Sequence, residues 1–155
     1  MKKQVLVVSS ALLLFGCGNQ VEEQQQEEVK QEQALPTVEL PNKEIGEGSI
    51  ELFNASGSTE NGQPITIYYN PDVIEADFEL VGMDFNGELL SYIYVDNVEV
   101  ESKQVGLMSQ IQIDVPDSIL SKTGLHTVTV AQYPDNDTTQ EPVTIKTKQF
   151  EVKPK

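Results

Sequence analysis

From Ser49 to Lys155, apolar and polar residues alternate with a period of two, and no segment sustains a helical period. Side chains along a strand point alternately to opposite faces, so this pattern describes strands with one dry and one wet side. Ile50 and Leu52 begin it, and Ile65 and Ile67 continue it. Ala76, Phe78 and Leu80 then share one face, and Glu75, Asp77 and Glu79 the other. Leu89 to Val95 is apolar on both faces, as in a central strand. Val98 and Val100 follow, then Ile111, Ile113 and Val115, then Val128 and Val130. Val143 and Ile145 open the last strand and Phe150 and Val152 close it; their opposite parity predicts a bulge within residues 147–149. Asn70-Pro71-Asp72, Asn86-Gly87 and Asp96-Asn97 read as turns, and residues 134–142 as a polar loop. Only residues 117–122 suit a single helical turn. Seven or eight short strands with turn signals every 8–12 residues indicate an all-β, antiparallel sandwich over residues 49–155.

The first 48 residues have another character. Lys2 and Lys3 precede an apolar run from Val5 to Phe15, interrupted by Ser9 and Ser10. A membrane-spanning helix takes about 20 apolar residues, so the run is too short to span and fits a signal peptide over residues 1–16. Glu and Gln dominate Val21 to Gln33, a composition that cannot bury a core. Pro36, Pro41, Gly46 and Gly48 then punctuate the chain. Residues 17–48 thus read as a flexible acidic linker. As a random coil its root-mean-square reach is about 30 Å.

Leu14-Phe15-Gly16-Cys17 resembles the lipobox of bacterial lipoproteins, with a bulky Phe15 where small residues are usual. The resemblance implies cleavage before Cys17, acylation of its thiol, and anchoring at the extracellular face of the cell membrane. Cys17 is the single Cys of the chain, so no disulfide, thiolate metal site or Cys nucleophile remains for the domain. All ten basic residues are Lys, and the absence of Arg suggests an AT-rich, Gram-positive source. Loss of the leader leaves 8 basic against 25 acidic residues. Such a surface repels nucleic acid and anionic headgroups.

Residues 116–130 resemble the corner and following strand of an immunoglobulin-like domain. Leu120 and Gly124 precede His126, and Val128 takes the place of a core Cys. The resemblance implies an immunoglobulin-like topology, with His126 in the place of the corner tyrosine. The Cys pair and the core Trp of that family are absent.

Candidate chemistry is sparse. His126 is the single His, so any hydrolytic triad must use it as base, beside a Ser or Thr and a carboxylate. It shares parity with Val128 and Val130, which places it toward the core. Asp135 and Asp137, with Asn136 and Glu141, are calcium candidates because hard oxygen ligands gather there. The Asp77/Glu79 and Glu99/Glu101 pairs line up along single strand faces, a geometry unsuited to glycoside cleavage across a cleft. Tyr92 and Tyr94 point the same way, about 7 Å apart by strand geometry. They form either an aromatic platform for a glycan or protein ligand, or part of the packing. The expected function is a lipid-anchored, non-enzymatic binding or assembly module of the envelope, needing no cofactor, with the membrane and an envelope protein or glycan as partners. The alternatives are a small envelope hydrolase or its accessory subunit, and release of the leader's tail, residues 10–16, as a peptide resembling the lipoprotein-derived pheromones of enterococci.

Overall fold

The computed structural model describes residues 35–70 and 77–155; the leader, Cys17 and the Glu/Gln-rich stretch lie outside them. Among the described residues nine strands run in the order β1 (Ser49–Asn54), β2 (Gly57–Ser58), β3 (Ile65–Tyr69), β4 (Asp77–Met83), β5 (Leu90–Val95), β6 (Val98–Gln104), β7 (Met108–Asp114), β8 (Gly124–Gln132) and β9 (Thr144–Pro154). One helical turn, α1 (Asp117–Leu120), precedes β8 and tucks Ile119 and Leu120 inward. A short 3₁₀ turn, Pro134–Asn136, follows β8.

The strands form two sheets, one ordered β2-β1-β4-β7 and the other β3-β9-β8-β5-β6. Their inner faces carry the alternating apolar residues. Leu52, Phe78, Leu80, Ile93, Val95, Ile113, Val128, Val130 and Phe150 belong to one core cluster between the sheets. The molecule is an all-β sandwich, as the period of two requires. The Asp96-Asn97 turn joins β5 to β6 with both residues at positive φ, 48° and 67°. Asp and Asn tolerate that region better than most residues, and turns of this hand match the twist of the flanking strands.

Three expectations need correction. First, the pairing is not wholly antiparallel: β3 runs parallel to β9, from Ile65 beside Phe150 to Tyr69 beside Pro154. After β1 and β2 the chain changes sheets, and β3 enters along the edge of the last strand. Second, β9 carries no bulge opposite β8. Its register there is unbroken from Gly124↔Val152 to Gln132↔Thr144. Val143 precedes the strand and is exposed, while Ile145 is buried on the outer face of the sheet. The change of parity marks a strand buried on both faces. The irregularity lies instead between β5 and β6, at Ile93/Tyr94.

The third correction concerns the end of the linker. Residues 37–45 form a strap across the outer face of the five-stranded sheet. Thr37 bridges Val98 on the β6 edge, where the Val38 N–H donates to Asn97 O at 3.0 Å. Ile45 pairs with Ile145 of β9 through two backbone hydrogen bonds of 3.1 Å. Between these ends the strap passes over β5 and β8, and Leu40 and Ile45 pack on a second apolar cluster of Tyr94, Ala131, Tyr133 and Ile145. The Glu44 carboxylate accepts from the Thr147 N–H at 2.8 Å, and Lys146 Nζ donates to Gly46 O at 3.0 Å. Ala34–Lys155 accordingly forms one compact unit that includes the strap.

Candidate functional site

His126 lies in β8 and is only 4% exposed. Nδ1 is 2.6 Å from Asp96 Oδ2, and Nε2 is 2.7 Å from Lys122 O. The ring stacks on Phe150 at 5.2 Å and 18°. Asp96 Oδ1 accepts from the Thr127 N–H at 2.9 Å, which ties the β5–β6 turn to β8. The imidazole thus clasps the β5–β6 turn to the loop before β8. Both nitrogens face acceptors, so neither is free to take a proton from a hydroxyl nucleophile.

Tyr92 and Tyr94 do project to the same outer face, but not as an open platform. Tyr94 is 1% exposed beneath the strap, and Tyr92 is half-buried. Burial pushes the Tyr94 phenol far above its ordinary value of 10.0, and the hydroxyl of Tyr133 and the charge of Glu99 add to the shift. Tyr92 donates from its hydroxyl to Asn136 O at 3.0 Å, and its ring meets Tyr133 edge-on at 5.5 Å. The Tyr94 and Tyr133 hydroxyl oxygens lie 3.4 Å apart.

These two phenols line a groove of about 490 Å³ between the strap and residues 138–142. Val38, Glu39, Leu40 and Pro41 form one wall, and Glu99 stands on the sheet beside Tyr94. The period of two brings out Tyr94, but nothing local in the sequence places Tyr133, Glu99 and the strap beside it. Leu40 and Ile45, apolar residues in a polar stretch, were the available signal.

A second cleft lies between the strap's end and the sheet edges, lined by Glu44, Glu51, Lys146 and Lys148 among others. Its charges are spent internally: Lys148 Nζ is 2.8 Å from Glu51 Oε1, and Thr59 donates to Glu51 Oε2.

The calcium candidates are not assembled into a site. Asp137 folds back on its own turn, accepting from the Thr139 hydroxyl at 2.7 Å and N–H at 3.0 Å and from Gln140 Nε2 at 3.1 Å. These bonds hold its carboxyl below the usual 3.8. Asp135 sits at φ 53° as part of the 3₁₀ turn. Among the described residues no cluster of three or more His, Cys, Asp or Glu is placed to hold a metal ion. Glu79 is exposed, the side chain of Asp77 lies outside the described residues, and Glu101 pairs with Lys103 at 3.5 Å. Among the described residues no helix is long and apolar enough to cross a membrane. Comparison with protein-family models, curated proteins and solved structures gives no match.

Proposed function

We propose that this chain is a lipid-anchored, non-enzymatic binding module at the outer face of a bacterial cell membrane, built on an immunoglobulin-like sandwich. The lipobox-like Leu14-Phe15-Gly16-Cys17 supports the anchor, and Cys17 is the residue that carries the lipid. The strand order supports the immunoglobulin-like topology: the last two strands lie beside β5 and β6 in one sheet, as the GFC strands and their extension do in variable-type domains. The observation that carries the binding reading is the clasp at His126. The one imidazole of the chain is committed to structure, which leaves the domain surfaces to act by contact. Such a fold hosts many functions, so the assignment rests on these sites and not on architecture.

Metabolic labelling with palmitate tests the anchor. Wild-type chain incorporates label, and Cys17→Ala loses it and leaves the membrane fraction. Undiminished label on the Ala variant overturns the anchored reading.

A further inference from the structure

We infer that the groove between the strap and residues 138–142 binds a neutral, polyhydroxylated ligand, a glycan chain. The inference deepens the binding-module reading and rests on it, though not on the anchor.

Tyr94 and Tyr133 are 1% and 4% exposed, and their hydroxyl oxygens lie 3.4 Å apart. A phenol carries one hydrogen. Only one of the two hydrogens can occupy the space between the oxygens. The other has no acceptor among the described residues, and leaving a buried donor unmet is costly. The floor therefore offers a hydrogen-bond donor to whatever enters the groove.

The walls narrow the ligand class. Glu39, Glu99 and Glu141 line the groove, and no Lys or His does. Ionised carboxylates only accept hydrogen bonds, and together they repel an anion. An ammonium ligand would satisfy the carboxylates but is itself only a donor, so it leaves the phenol unmet. A hydroxyl does both: it accepts from the phenol and donates to a carboxylate. Val38, Leu40 and Pro142 supply apolar surface for the C–H face of a sugar ring. The volume lies within the range of small-ligand pockets. The strap forms one wall, so the site is complete only while the strap lies on the sheet, and a bound glycan holds the strap in place by linkage.

The test titrates the full, unlipidated chain with chitotetraose, maltotetraose and spermine while following backbone amides by NMR. The expected result is that at least one oligosaccharide shifts the amides of Glu99 and residues 138–141 at millimolar concentration, and spermine does not. The double variant Tyr94→Phe/Tyr133→Phe removes both phenol hydrogens from the floor and weakens binding about tenfold, with little change in melting temperature because both partners of the buried pair are replaced together. Glu99→Gln, a change at an exposed side chain, weakens it too. Shifts with neither sugar, shifts of the same amides with spermine, or sugar affinity unchanged in both variants overturn the proposal. No lipid enters the measurement, so its failure removes the glycan and leaves the anchor to the palmitate label.

Discussion

His126 shows how far one residue's parity can be read and where it stops. Its spacing from Val128 and Val130 puts it on the core side, and the ring is buried there. The sequence does not reveal its partner Asp96, thirty residues away, because that contact depends on how two hairpins pack. His126→Ala removes the bonds to Asp96 and Lys122 O and the stack on Phe150. We expect it to cost on the order of 1–3 kcal/mol, read as a lower urea midpoint at unchanged slope. An unchanged midpoint would overturn the clasp. Tyr94 supports a pH argument. Its phenol is raised above 10.0 by burial first and by Tyr133 second. The unfolded chain therefore releases this proton at lower pH than the folded one. The contribution is complete below the unfolded value of 10.0 and is lost as pH climbs toward the folded value. Absorbance titration near 295 nm should show one tyrosine ionising only as the protein unfolds, and Tyr94→Phe should remove that step. Five tyrosines titrating freely in a folded chain would contradict its burial.

Elements were legible wherever one face alone was buried, because the period of two then appears directly in the sequence. β7 is the clearest instance: Ile111 and Ile113 are buried and Gln110, Gln112 and Asp114 exposed. The pattern fails at β9, where Ile145 is buried outward and Phe150 inward, since a strand dry on both sides has no alternation to read. The strap was illegible for a related reason. Its residues are mostly exposed, it is held by a few bonds to distant strands, and its composition is that of a linker. Gly46 is its point of closest approach. At φ +70°, a Cβ there would stand 2.4 Å from Val143 O and 2.9 Å from the Thr144 Cα. Backbone cannot yield as a flexible side chain does, so Gly46→Ala should displace the strap's end and cost about 1–3 kcal/mol. Amide exchange should then accelerate at Ile45 and Ile145 and stay slow at Ile113; slow exchange at all three would show that the strap tolerates the Cβ. The 137–140 turn has its own pH dependence. Bonds from the Thr139 side chain, then its backbone N–H, lower the Asp137 carboxyl below 3.8. A depressed value means that these bonds add stability above pH 3.8 and lose it as pH falls through the folded value. The Thr139 amide should shift and lose protection from exchange, relative to its intrinsic rate, as pH falls below 3.8, and Asp137→Asn should blunt that change.

The whole molecule is governed by charge as well as by its core. Twenty-five acidic residues face ten basic ones, an imbalance plain from composition. Composition does not tell whether ion pairs offset it. The Lys103–Glu101 and Lys153–Glu151 pairs lie on exposed strand surface. Such pairs contribute little, because water and side-chain entropy oppose them. Lys148–Glu51 is more enclosed, but it too joins only one acid to one base. Among the described residues the remaining carboxylates are spread over both sheets, the strap and the loops, and they repel one another in the compact state more than in an expanded chain. Salt screens that repulsion: the Debye length falls from about 30 Å at 0.01 M to about 8 Å at 0.15 M. The close pairs are screened less than the longer-range repulsion, since their charges lie within a few ångströms. Raising sodium chloride over that range at pH 7 should therefore raise the melting temperature by about 2–5 °C, equivalent to less than about 1 kcal/mol for a domain of this size. Calorimetry at several salt concentrations measures it. A melting temperature that falls with salt would mean that attraction within the three lysine–carboxylate pairs outweighs the repulsion among the unpaired acids.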